Sequence, residues 1–225
     1  MKVISGLVSA GSGSYGRCTW SRNRMGPYVR ERAVPVNPNT VFQQAIRSYL
    51  ANLAVLWNNT LTIAQKTGWE SFALQVPVTD ALGNAITLTG LNWYIKANAA
   101  RLNAGKTRVD AAPSVLTLAL LTPVVLTITA TTTLSVAYTN TDPWATAVGG
   151  HLFLYISRPQ SQSINGLKGP YRFFGAVNGA VVPPTSPFIG TSPFPFTTGS
   201  RMFLRAQCSN ADARPSPDFR TFDDN

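Results

Sequence analysis

The feature that most constrains this chain is a change of hydrophobic period near Ala111. Before it, apolar residues recur at helical spacing; after it, they alternate. Leu134, Val136 and Tyr138 alternate with Ser135, Ala137 and Thr139. Leu152, Leu154 and Ile156 alternate with Phe153 and Tyr155, and Met202, Leu204, Ala206 and Cys208 with Arg201, Phe203, Arg205 and Gln207. Each pattern is that of a strand with one face in a core. The turn clusters NTDP, VGG and NGLKGP separate them, and about seven short strands over roughly 110 residues is the signature of an immunoglobulin-like or fibronectin-type sandwich. Val115–Thr129 is apolar but β-branched and broken by Pro123, so it reads as strand and not as a membrane span. The proline-rich stretch Val182–Phe196 works against regular pairing.

Upstream, helical signals are equally plain. Thr40 and Gln43 have capping-box spacing, followed by Phe42, Ile46, Tyr49, Leu50, Leu53 and Trp57 as one apolar face. Thr62 and Gln65 repeat the box before a second helix burying Trp69, Phe72 and Ala73, with Asn58–Leu61 as the link. Asp80–Asn84 is a turn and Ile86–Leu88 a short extended piece. Thr89 caps a third helix through Leu91, Tyr94, Ile95, Asn98 and Leu102, which Gly105 ends.

Residues 1–36 form an arm. GSGSYG is too glycine-rich to hold a fixed shape alone, and Arg17–Ser21 and Tyr28–Val34 read as a β-hairpin around the turn Asn23–Pro27. The expected architecture is therefore α+β and mainly β: an arm with a β-hairpin over 1–36, a three-helix module over 37–108 and a β-sandwich over 109–225.

Charge narrows the partners. The chain has 19 Lys+Arg against 9 Asp+Glu, a net charge of +10, and Lys2, Arg17, Arg22, Arg24, Arg30 and Arg32 face Glu31 alone in residues 1–36. Charged residues make up 12% of the chain, about half the usual share. A surface so sparsely charged is easily desolvated against neighbours. Arg17, Trp20, Arg22, Arg24, Tyr28, Arg30 and Arg32 are the candidate interaction residues. Their rings and guanidinium groups suit either an acidic protein surface or a strand of nucleic acid, and the bland alternative is a solvated basic face.

Catalytic groups are sparse. His151, the one histidine, follows Gly149–Gly150 at a strand start with no nucleophile elbow nearby, and reads as a surface residue. Asp218, Asp223 and Asp224 could hold a hard cation but read as a frayed acidic tail. Cys18 and Cys208 make neither a disulfide framework nor a metal site, which fits folding in a reducing compartment. GSGSYG lacks the Lys-Ser/Thr of a phosphate loop. The run MKVISGLVSA is too weak for a secretory signal. No enzyme activity, cofactor, metal or membrane is expected. Phe173, Phe188, Phe194 and Phe196, if exposed, would suit carbohydrate or host-surface binding; loop packing or an interface patch is the simpler reading.

The stretch GSYGRCTWSRNRMGPYVRERAVPVNPNTVFQQAIRSYLANLAVLWNNTLTIAQKTGWESFALQ, followed by TGLNWYIKANAARLNAG, resembles a family of uncharacterised proteins found in tailed phages, prophages and related bacterial genomes. The matching features are Arg-x-Arg before Pro-x-Asn-Pro, the Thr-x-x-Gln helix start, Leu-Thr-x-x-Gln-x-x-x-Trp in the second helix and Thr-Gly-Leu-Asn in the third. They cover about the first half of the chain and form a packing signature. GSRMFLRAQCSNADARPSP resembles a late strand of a fibronectin-type module with its turn and last strand, although the corner tyrosine and a Cys–Trp–Cys spacing are missing. The resemblance implies a virion component assembled in the host cytoplasm, contacting capsid or tail subunits and copies of itself. A head decoration or minor capsid protein is the first expectation. A tail, neck or connector protein is the next, and a nucleic-acid-binding packaging or regulatory factor using the arm the third.

Overall fold

A computed structural model describes residues 13–23, 26–34, 36–79, 85–129 and 132–225. The run MKVISGLVSA, Arg24 and the turn Asp80–Asn84 lie outside these residues. The protein is α+β and mainly β, with three helices and several sheets among the described residues. It separates into two compact units, Met1–Val41 and Phe42–Asn225.

In the first unit, β1 (Gly13–Tyr15), β2 (Cys18–Asn23) and β3 (Gly26–Glu31) form an antiparallel sheet in the order β1-β2-β3. Gly13–Tyr15, too glycine-rich to hold a shape alone, is a strand because β2 supplies its ladder. Gly13 stands opposite Trp20 and Tyr15 opposite Cys18, and the Ser14 and Thr19 hydroxyls meet at 2.9 Å. Gly16 makes the tight link, its φ of +57° being costly for any residue with a Cβ. The Arg32 amide donates to the Arg17 carbonyl at 2.7 Å, which extends the ladder past the end of β3.

The second unit opens with α1 (Val41–Asn59), most of which it contains, followed by α2 (Ile63–Gln75) and α3 (Gly90–Asn103). A small hairpin joins the last two, β4 (Val78–Thr79) pairing with β5 (Ala85–Ile86). The Thr62 capping box is formed: the Gln65 amide donates to Thr62 Oγ1 at 3.3 Å and the Thr62 amide to Gln65 Oε1 at 2.9 Å. Thr89 caps α3 through the Asn92 amide. Leu53, Trp57, Trp69, Phe72, Trp93, Tyr94 and Ala97 make the helical core, with rings of Trp69 and Tyr94 edge to face at 5.8 Å. α2 and α3 meet closely at Gly90, where a Cβ would lie 2.7 Å from the Glu70 backbone nitrogen.

Eight strands follow: β6 (Val125–Ile128), β7 (Thr133–Ala137), β8 (His151–Ser157), β9 (Gln160–Ser161), β10 (Tyr171–Asn178), β11 (Phe188–Thr191), β12 (Ser200–Ser209) and β13 (Phe219–Asp224). One sheet runs β11-β7-β6; the other runs β10-β8-β12-β13 with β9 beside β12. Side chains of both share one cluster, including Leu126, Leu134 and Val136 from the first and Leu152, Leu154, Ile156, Met202, Leu204, Ala206 and Cys208 from the second.

Two expectations are corrected here. Within Val115–Thr129 only Val125–Ile128 pairs as a strand, because Pro123 denies the segment before it a continuous ladder. Conversely, β11 forms inside the proline-rich stretch, since Phe188–Thr191 is a proline-free interval whose residues pair with β7 from Phe188↔Val136 to Thr191↔Thr133.

Candidate interaction surfaces

The ladder of the N-terminal sheet divides the candidate arm residues. Tyr15, Cys18 and Glu31 fall in one row and Gly13, Trp20 and Val29 in the next but one, so these share a face. Thr19 with Arg30, and Ser21 with Tyr28, share the other. Trp20 is therefore parted from Tyr28 and Arg30. Arg17 lies in the β1–β2 turn and Arg32 just beyond β3, both exposed. Arg22 stands opposite Pro27 in the ladder, its side chain lying, like Arg24, outside what is described. Among the described residues of this unit none is buried, and Tyr15 is 86% exposed. A sheet this small needs one covered face to be stable by itself.

A second surface lies on α1. The sequence predicts one apolar face from Phe42 to Trp57, but the structure seats only its far end. Leu53 and Trp57 are buried, whereas Phe42, Ile46 and Leu50 are exposed by 68%, 41% and 39%. The Arg172 guanidinium lies 4.6 Å from the Phe42 ring centre, a cation–π contact that leaves most of the ring open. A face continuous in sequence is thus split into a core half and a surface half.

The large sheet is covered on both sides in its middle. All of β8 is buried, including Phe153 and Tyr155, which alternation assigned to the face away from the core. α3 explains part of this cover. Arg101, 2% exposed, donates from Nη1 to Ser209 Oγ at 2.9 Å and to the Asn210 carbonyl at 3.2 Å. Its Nη2 reaches the Gly149 carbonyl at 3.1 Å and its Nε the Thr107 carbonyl at 2.9 Å. Asn98, also buried, donates to the Tyr94 and Val109 carbonyls and accepts from the Val109 amide at 2.8 Å. Asn98 falls on the face that the sequence assigns to the third helix, whereas Arg101 did not stand out; an arginine inside an apolar helical pattern is the signal that could have found it.

The candidate catalytic and cation-binding groups all have partners within the fold. His151 is buried and not a surface residue. Its Nδ1 lies 3.1 Å from Asn178 Oδ1, and burial, reinforced by the Arg101 charge, pushes its pKa down to about 4. The C-terminal acids are not a frayed tail. Asp224 forms a fork with Arg201 at 2.6 and 2.8 Å, and Asp223 accepts the Ile128 amide at 2.8 Å, tying β13 to β6. Asp218 stands between Arg205 and Arg220. Of the four phenylalanines, Phe196 is buried, Phe188 on β11 and Phe194 beyond it pack on the core, and Phe173 is 37% exposed, edge-on to Tyr155. A groove of about 390 Å³ is lined by Asn52, Leu56, Leu102, Lys106, Thr107, Arg108 and Asp110, and there Arg108 is already forked onto Asp110.

Among the described residues, no group of three or more His, Cys, Asp or Glu is placed to hold a metal, and no helix is long and apolar enough to cross a membrane. No family model matches the chain, and no curated protein sequence matches it either.

Proposed function

We propose that this protein is a structural component of a tailed-phage virion, a head decoration or minor capsid protein held in place by protein–protein contacts and not an enzyme. The observation that carries the reading is the unfinished surface of an otherwise well-packed fold. The first turns of α1 hold Phe42, Ile46 and Leu50 outside the core that takes Leu53 and Trp57, and the N-terminal sheet has no buried residue among those described. Apolar area left open in this way marks a surface that neighbours cover. The motif resemblance of the first half of the chain supplies the phage setting.

The strand orders support reading the C-terminal region as an immunoglobulin-like, fibronectin-type sandwich. The chain passes from the small sheet to the large one after β7, returns for β11 and crosses again for β12 and β13. That is Greek-key connectivity, common in outward-facing or interlocking modules. In this reading the region from Met1 through α1 anchors to a neighbouring subunit and the sandwich is displayed.

Mass spectrometry of purified particles from a host carrying the gene tests it: the protein is expected at a fixed copy number per particle, and its absence ends both the head and the tail, neck or connector versions. The basic arm favours nucleic acid as a second reading. In that case DNA binding falls steeply with salt, and removing Arg17, Arg22, Arg24, Arg30 and Arg32 flattens the slope.

A further inference from the structure

Two arginine–carboxylate pairs among the described residues are forks. Arg201 grips Asp224 at 2.6 and 2.8 Å, and Arg108 grips Asp110 at 2.8 and 3.2 Å. Arg205 and Arg220 differ. They stand directly opposite one another on β12 and β13, an arrangement of like charges that destabilises a strand pair. The carboxylate between them is Asp218, and it engages neither well: one oxygen, Oδ2, lies 3.8 Å from Arg205 Nη1 and 3.7 Å from Arg220 Nη2. Both distances exceed hydrogen-bond range. Two cations thus share a single negative charge, and Lys96 on α3 feels that same carboxylate.

The surroundings hold the pair ready. The Arg205 guanidinium lies 4.3 Å from the Tyr155 ring centre and 5.9 Å from that of Tyr171, which limits its rotation. Its Nε is enclosed and finds no acceptor, so its terminal nitrogens are what it can offer an anion. The side chains of Arg205, Arg220 and Asp218 are 29%, 46% and 35% exposed, open enough for a small ligand to enter. A carboxylate leaves one positive charge unmatched. A tetrahedral dianion matches both guanidinium groups in charge and presents separate oxygens to each.

We propose that Arg205 and Arg220 form a binding site for a tetrahedral oxyanion, phosphate or sulfate, which takes the place of the Asp218 carboxylate between them. The site lies outside the N-terminal sheet and α1 and is independent of the virion reading. The anion is either free or carried on a larger molecule such as a sugar.

Calorimetric titration of the full chain with inorganic phosphate, inorganic sulfate and glucose 6-phosphate, at constant ionic strength, tests this. Millimolar binding is expected. Asp218→Asn should tighten it several-fold by removing the internal competitor. Arg220→Gln, at an exposed position that leaves the fold intact, should weaken it roughly tenfold, and Arg205→Gln with Arg220→Gln further still. Equal affinity for phosphate and glucose 6-phosphate identifies a free anion; tighter binding of the sugar phosphate identifies a carried one. The proposal is overturned if wild type gives no heat, if Asp218→Asn changes nothing, or if Arg220→Gln binds as wild type does, which would mean an adventitious ion only.

Discussion

Arg101 Nη1 donates to Ser209 Oγ at 2.9 Å across 108 residues of sequence, joining the last turn of α3 to the end of β12. The same nitrogen also reaches the Asn210 carbonyl, and Nε and Nη2 reach those of Thr107 and Gly149; none of these acceptors is charged. Burying a cation without a carboxylate partner is costly, and burial accordingly pushes the Arg101 pKa down. The cost is offset by four hydrogen bonds to oxygens from three chain segments, two of them buried. The helices and the β strands of the second unit are thereby fastened at a point where neither could close alone.

Arg101→Met should therefore cost about 3 kcal/mol of stability, the penalty of losing a set of charge-assisted hydrogen bonds that the thioether cannot replace. Arg101→Lys should recover less than half of this, since one ammonium cannot span acceptors arranged around a planar fork. Urea denaturation followed by far-ultraviolet circular dichroism and by tryptophan fluorescence checks both. Coincident transitions are expected for wild type and separated ones for Arg101→Met, as the helices lose their hold on the strands.

Acid should weaken the fold through His151. Its pKa is about 4 in the folded protein against an ordinary 6.5, with burial the first cause and the Arg101 charge the second. The unfolded chain takes up this proton near pH 6.5 and the folded chain only near pH 4. The stability present above pH 6.5 therefore declines across that window, by about 2–3 kcal/mol. Asp110 and Asp224, held below their usual range by Arg108 and Arg201, act at lower pH still. Denaturation midpoints at pH 7.5, 5.5 and 4.5 should fall steadily for wild type and much less for His151→Gln. Equal slopes would show that the imidazole is not enclosed.

How far the sequence could be read depended on whether a feature was local. Capping at Thr62 and Thr89 and the extended runs of β7, β8 and β12 are written in neighbouring residues, and these elements stand where the spacing placed them. What distant segments decide was not legible. Alternation identified Leu152, Leu154 and Ile156 as core but had no means of showing that Phe153 and Tyr155 are covered as well. Periodicity gave α1 a single apolar face, because it does not register where the supporting helices end. His151 and the C-terminal aspartates looked peripheral from their positions, and partners far along the chain enclose or pair them. The arm residues alternate along two strands, so pairing was bound to place Trp20 opposite in facing to Tyr28 and Arg30, a consequence of register that composition conceals.

The two thiols should differ sharply in reactivity. Cys208 is fully buried, donates from Sγ to the Leu120 carbonyl at 3.4 Å, and is pushed up to about 11 by burial. Cys18 is exposed on β2. Because the thiolate is the reactive form, alkylation of the native protein at pH 7.5 should modify Cys18 within minutes and Cys208 only on unfolding. Peptide mass spectrometry after timed quenching reads this directly. Rapid native labelling of Cys208 would mean that the core around β12 opens far more often than its packing implies.

The division of α1 gives a prediction that separates stability from assembly. Leu53 is fully buried, so Leu53→Ala should cost about 3 kcal/mol through lost contacts and the cavity left behind. Ile46 lies on the same helical face, two turns earlier, and is 41% exposed; Ile46→Asp should change the denaturation midpoint little, by under about 1 kcal/mol. If neighbours cover that part of α1 in the particle, the aspartate places an unpaired charge in an apolar contact, a penalty of several kcal/mol that falls on assembly alone. Ile46→Asp protein should then fold normally yet be missing from purified particles, while Ile46→Leu is incorporated like wild type. Normal incorporation of Ile46→Asp would remove α1 from the anchoring surface.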